Sequence, residues 1–156
     1  MKEIGLFIIG LDSKVDMENS IKKLLEMNFQ VIGKFFIKDS NFHIECEERF
    51  LSMDKFIYVH TIDNQIVRVG SSKGKLQNRM KSWERDVSKS LKGIKSPTPL
   101  WEGERWKELL KNNSGVLYGK QGSLVKTDVG EINTFLSEES YLISELLPIM
   151  NRSKYR

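Results

Sequence analysis

One segment of the 156-residue chain holds acids that helical geometry can tell apart. It reads EESYLISELLP over residues 138–148, with Asn151 just beyond. At about 100° per residue, a helix here sets Phe135, Leu136, Leu142, Ile143 and Leu146 within about 60° of Glu139. Glu138 and Glu145 fall about 100–120° away, on the solvated side. A carboxylate centred on an apolar stripe is costly unless it finds a partner or takes up a proton. Two readings of Glu139 stand. If the helix begins late, near Ser137, Glu139 sits in its first turn, where the helix dipole favours an acid. If it begins a turn earlier, the stripe opens onto a cleft where a metal ion or an arginine meets the carboxylate.

A second stripe carries a base. Leu76, Met80, Trp83, Val87 and Leu91 recur at helical spacing and predict a long helix over about 76–91. Arg79 borders that apolar face, so it either snorkels to solvent or points into a cleft. Lys81, Arg85 and Lys89 point outward. Residues 68–95 hold nine bases and two acids, a net of +7 within a chain of net +4. Concentrated positive charge suits a polyanionic partner, although such runs are commonly only a solvated helix face. Lys73 and Lys75 at the start of the helix, and Lys92 and Lys95 beyond its end, are the candidate phosphate contacts. Ser71 joins them, and Ser71 or Ser72 is placed to cap the helix.

These side chains need a frame. Residues 55–72, KFIYVHTIDNQIVRVGSS, read as two strands around an Asp63-Asn64 turn. Tyr58 and His60 are two residues apart and share one face of the first strand. Upstream, the pattern predicts a strand at 3–10, a helix at 16–27 capped by Asp16, and strands at 29–37 and 42–50 around a turn at 39–41. The helix places Met17, Ile21, Leu24 and Leu25 on one face. Downstream it predicts a loop at 92–101, a short helix at 102–113, strand material at 115–128 around KQG, and the final helix. No Gly/Ser linker divides the chain.

Taken in order, these segments resemble the GIY-YIG nuclease family. That family's pattern is a hairpin with a Gly-Ile-Tyr and a Tyr-Ile-Gly strand, then a helix with a catalytic arginine. A later helix carries a glutamate, followed by Leu-Ile, a proline and an asparagine. Here FIY (56–58), RVG (68–70), LQNRM (76–80) and residues 139–151 stand in those places. The resemblance covers about residues 55–151. There are departures: Phe56 stands for the first glycine, Arg68 for the second motif's tyrosine, and Trp83 where a histidine often follows the arginine.

The resemblance implies an α+β fold, with a small sheet flanked by helices as a nuclease core over 55–156. An N-terminal β-α-β-β extension over 1–54 would pack on it. It implies a Mg²⁺- or Mn²⁺-dependent endonuclease acting on double-stranded DNA, most like the short type II restriction enzymes, usually homodimers. Catalytic residues would be Tyr58, Arg68, Arg79, Glu139 and Asn151, with Glu139 the metal ligand. The residue types suit that chemistry. One carboxylate can hold a Mg²⁺ that keeps most of its waters. A guanidinium presents a planar fork to a phosphate. A phenol acting as base needs nearby positive charge, which Arg68 supplies if it shares Tyr58's face. A one-residue slip in the hairpin would separate them; the resemblance implies that it does not occur. His60, on Tyr58's strand face by its own spacing, is placed to accept a proton or touch phosphate, although a lone histidine is more often structural or exposed. The plainer alternatives are a core aromatic for Tyr58, a snorkelling Arg79, an edge-strand charge for Arg68 and a turn former for Asn151.

Composition bounds the alternatives. Cys46 is the only cysteine, which argues against a disulfide framework or cysteine metal cluster and suits a reducing, cytoplasmic setting. The apolar run at 5–10 is too short for a membrane span. With His43 and His60 as the only histidines, a histidine-metal nuclease fits poorly. No phosphate-cradling glycine motif points to a nucleotide cofactor.

Overall fold

The computed structural model describes residues 20–151. The expected strand at 3–10 and the Asp16 cap lie outside them. Residues 20–26 are helical (α1). Leu24 is fully buried there, whereas Leu25, expected on the same face, is 54% exposed. Strand β1 (Gln30–Lys38) turns through Asp39 and Ser40, both left-handed, into antiparallel β2 (Asn41–Cys46). β2 stops short of residue 50. Glu48–Phe50 instead form a 3-10 turn that buries Phe50.

The hairpin forms where its sequence pattern places it. Strands β3 (Phe56–Ile62) and β4 (Gln65–Ser72) flank Asp63 and Asn64, with φ of 51° and 62°. Two successive positive φ values match the strands' twist, and Asp and Asn tolerate them. Helix α2 (Leu76–Leu91) follows, with Leu76, Trp83, Val87 and Leu91 buried. Neither Ser71 nor Ser72 caps it. Lys75 stands at the N-cap without a side-chain bond. The first free amides find main-chain carbonyls instead: Leu76 N donates to Met53 O and Gln77 N to Leu51 O. The loop after the 3-10 turn therefore does what a serine was expected to do.

Helix α3 (Leu100–Leu109) begins two residues earlier than expected, directly after Pro99. Its end is marked by left-handed Asn112. Strand β5 (Gly115–Gln121) enters the main sheet, but β6 (Leu124–Thr127) pairs only with an unanticipated β7 (Gly130–Asn133). Helix α4 (Phe135–Leu146) ends at left-handed Leu147, and Ile149–Asn151 form a last 3-10 turn.

The fold is α+β. Its main sheet has the order β2-β1-β5-β3-β4, and every neighbouring pair is antiparallel. β5 lies between β1 and β3, so residues 30–46 share one sheet with the hairpin. Side-chain alternation gives the sheet two apolar faces. One carries Phe35, Tyr58 and Leu117, covered by Trp83 of α2 and Trp106 of α3. The other carries Ile57, Val59 and Val69, against α1 and α4 with Leu24, Phe135 and Leu142. Each large apolar side chain buried this way contributes roughly 1.5–3 kcal/mol. Edge strand β2 is also guarded by α2: Phe42 N donates to Ser88 Oγ and Ile44 N to Glu84 Oε1. No described helix is long and apolar enough to cross a membrane.

Candidate functional site

Strand pairing brings the hairpin's reactive groups to one face. Tyr58 stands opposite Gly70, and His60 opposite Arg68. Directly opposed residues share a sheet face, so Tyr58, His60 and Arg68 all project toward α2 and α3. The register that only the family resemblance implied is the one present. Gly70 is needed for the approach, because a Cβ there would overlap the Tyr58 hydroxyl.

Arg79, in the first turn of α2, turns inward. Its Nη2 donates to Tyr58 Oη at 3.2 Å. The guanidinium carbon lies 5.5 Å from the Trp83 ring centroid and 5.9 Å from that of Tyr58. Cation–π attraction to both rings favours this placement. Arg79 Nε is buried with no hydrogen-bond partner among the described residues. Trp83 packs edge-on against Tyr58 with centroids 4.7 Å apart, so it serves as a wall of the site.

His60 is not at the surface. It is 2% exposed, boxed by Phe35, Tyr58, Trp83 and Trp106 with centroids 5.0–5.4 Å away. Burial, and then the positive charges of Arg68 and Arg79, hold its pKa well below 6.5. The expectation that it touches phosphate is therefore corrected. A neutral imidazole inside an aromatic box packs the floor beneath the two arginines.

Arg68 is half-buried and ion-paired through Nη1 to Glu102. Glu102, in the first turn of α3, is only 5% exposed. It was not among the residues anticipated, although a signal was there. Glu102 precedes buried Trp106 by four residues and Leu109 by seven, so it sits on the apolar stripe of its helix. Helical geometry thus singles out Glu102 on α3 as it does Glu139 on α4.

Asn151 is tied to the free edge of β4. Its Oδ1 accepts from Val69 N at 2.9 Å, and its Nδ2 donates to Val69 O at 2.8 Å. The side chain completes the strand's hydrogen bonding between Arg68 and Gly70, and so steadies the backbone that carries Arg68.

Helix α4 starts at Phe135, with Thr134 at the N-cap. Glu139 therefore lies in the second turn, beyond the reach of the first-turn reading. It is half-buried and has no hydrogen bond or ion pair among the described residues. Its helix packs on the Val59–Val69 face, across the sheet from Tyr58. The neighbouring Glu138, expected to be merely solvated, is the bound acid. It pairs with Lys120 and accepts from Ser123 N at 3.0 Å and from the Thr134 hydroxyl at 3.0 Å. Burial pushes the Glu138 carboxyl up. The Lys120 ammonium, the Ser123 amide and the Thr134 hydroxyl more than offset this and hold it below the usual range.

Of the expected DNA contacts, Ser71 is half-buried, and Lys73 and Lys75 are exposed beside Arg79's end of α2. Lys92 and Lys95 lie at the other end, about 24 Å along a 16-residue helix. Lys92 there donates to Asn41 Oδ1. The two lysine pairs thus cannot grip the same phosphate. Among the described residues no three His, Cys, Asp or Glu side chains gather as a metal cage. The one partnerless, half-buried carboxylate on the predicted stripe, Glu139, suits a hydrated divalent cation that needs only a single protein oxygen.

No family model matches the chain, and no curated protein sequence matches it. Solved structures do. Bacteriophage T4 EndoII, in a glutamate-to-alanine mutant form, is similar at a TM-score of 0.57 and 17% identity. The match covers 82% of this chain and 95% of EndoII. Restriction endonuclease HPY188I in complex with product DNA aligns at a TM-score of 0.47 and 15% identity, over 76% and 73% of the two chains. Nearly the whole of EndoII is thus matched in fold by the five-stranded sheet and flanking helices described here.

Proposed function

We propose that this protein is a divalent-metal-dependent DNA endonuclease of the GIY-YIG type, and specifically a type II restriction-like enzyme. The observation that carries the reading is the Arg79–Tyr58 hydrogen bond, with Arg68 on the same sheet face. The fold shared with EndoII, an endonuclease by name, supports it.

The phosphate would sit at the free edge of β4, where Arg68, Gly70 and the Asn151 clamp meet the start of α2. Arg79 would present its guanidinium to the non-bridging oxygens, already oriented by Tyr58 and Trp83. Tyr58 is 1% exposed, so it would take the proton of the attacking water only at its hydroxyl, the edge that Arg79 already meets. Arg68 would add the second positive charge that a pentavalent phosphate transition state requires. Glu139, whose helix packs on edge strand β4 from the opposite face of the sheet, would hold the Mg²⁺ or Mn²⁺ at that strand's free edge, where the ion would offset charge on the leaving 3′-oxygen. Lys73 and Lys75 would track the backbone beyond the scissile bond. Two copies acting as a homodimer would cut both strands of a palindromic site.

The Arg68–Glu102 pair favours a second reading, a DNA-binding module that has lost catalysis, with one guanidinium already neutralised. One experiment separates the two. The protein is incubated with unmethylated phage DNA and Mg²⁺ or Mn²⁺. Discrete bands support site-specific restriction, and a smear supports a nonspecific or repair-type nuclease. Salt-sensitive binding without cleavage by either metal overturns the enzyme reading and leaves the module. No DNA binding at all overturns both.

A further inference from the structure

We infer that Glu102 is a positioning residue for the reaction, setting Arg68 in its working orientation; the inference rests on the endonuclease reading above. Three observations carry it. First, Glu102 is 5% exposed, and its ion pair among the described residues is with Arg68. A buried carboxylate keeps its charge only when paired, so the two side chains hold each other in place. Second, a guanidinium carries five donors in one plane. A bond through Nη1 sets that plane and leaves donors for a phosphate.

Third, the position of Glu102 is locked from α2. Gly103 N donates to Ser90 Oγ at 3.1 Å, and Ser90 Oγ donates to Pro99 O at 2.7 Å. A Cβ on Gly103 would overlap both the side chain and the backbone of Ser90. Glycine therefore lets the first turn of α3 sit directly on α2. Helix α2 thus orients both guanidiniums: Arg79 by carrying it, and Arg68 through Ser90, Gly103 and Glu102. The same arrangement lowers the repulsion between two cations that flank the neutral His60.

The test is steady-state cleavage with thermal unfolding of each variant alongside. Glu102→Gln is expected to lower kcat about 10–100-fold, the range typical of groups that orient a ligand from behind. KM for DNA should stay within about twofold, because Lys73 and Lys75 still supply the backbone contacts. Glu102→Asp should recover part of kcat. The double variant Glu102→Gln/Arg68→Gln should cleave no more slowly than Arg68→Gln alone, since a residue acting through Arg68 adds nothing once Arg68 is gone. Glu104→Gln, an exposed acid on the same helix, should match the wild type. Unchanged kcat in Glu102→Gln, or losses that multiply with Arg68→Gln, overturn the proposal. Should Glu102→Gln fail to fold, Glu102→Asp carries the test, and its equality with the wild type in kcat overturns it. A wild type that cleaves no DNA sinks the endonuclease reading and this one together. An active wild type with an equally active Glu102→Gln sinks this one alone.

Discussion

On one face of the sheet, Arg68 and Arg79 are each held by a specific partner, Glu102 and Tyr58, above a floor of interlocking rings. On the other face, α4 carries two adjacent acids with opposite fates. Glu138 has a lysine, a main-chain amide and a hydroxyl, while Glu139 has none among the described residues. The difference is one of direction. Glu138 meets Lys120 at the end of β5 and Ser123 in the β5–β6 turn. Glu139 is half-buried one residue further round the helix, where no hydrogen-bond or ion-pair partner meets it among the described residues. Under the proposed function, this half-buried, unpartnered carboxylate is the one that would hold the cation.

The sharpest way to break that comparison is to treat the two acids identically. Glu139→Gln is expected to abolish cleavage, by at least about 100-fold in kcat, while DNA affinity in a gel-shift assay stays near that of the wild type. Glu138→Gln should leave cleavage untouched. Equal cleavage by Glu139→Gln and wild type would falsify the metal-ligand role.

Next comes the arginine face. Arg79→Lys keeps the charge but loses the planar fork, so kcat should fall about 100-fold rather than recover. Tyr58→Phe retains the ring that packs on Trp83 and removes only the acceptor for Arg79. We expect a comparable loss in kcat with about 1 kcal/mol or less of stability, read by denaturant unfolding. If Tyr58→Phe cleaves normally, Tyr58 belongs to the floor with His60 and the proton acceptor lies elsewhere.

His60 gives a pH-dependent test of that floor. Its folded pKa lies well below the unfolded value of 6.5. Above pH 6.5 both states are neutral there, and the group adds no pH dependence. As pH falls below 6.5 the unfolded chain takes up a proton that the folded one refuses. Stability then drops by up to about 1.4 kcal/mol per pH unit until the folded pKa is reached. Thermal unfolding between pH 7 and pH 5 should show this slope, and His60→Phe should reduce it. The smallest effect is Glu138→Gln on stability, about 1 kcal/mol after allowance for its partial exposure. Because the folded Glu138 carboxyl is held low, that contribution is present above its unfolded pKa of 4.5 and fades as pH falls below it.

Much of the local frame was legible without coordinates. The hairpin follows from period-2 alternation around Asp63-Asn64, and α2 from a stripe that runs from Leu76 to Leu91. Both are set by contacts a few residues apart. The same local arithmetic placed Glu139 on the stripe of α4 and would have placed Glu102 on that of α3. It misread Glu138, because its partners Lys120 and Ser123 lie 18 and 15 residues away. It also missed β7, whose exposed residues carry no hydrophobic pattern. The burial of His60 was not legible, because nothing nearby in the chain announces that Phe35 and Trp106 close over it.

The amino-acid sequence by itself determined the buried faces of the hairpin and of α2 and α4, since backbone geometry alone dictates a period of 3.6 or 2. It also determined the charge of the segment around α2. Only the tertiary structure decided who meets whom: Arg68 with Glu102 across 34 residues, and Asn151 with Val69 across 82. Those pairings depend on the order in which strands join the sheet and on how closely α3 settles on α2 at Gly103. Both are outcomes of packing the whole core, and no local period encodes them.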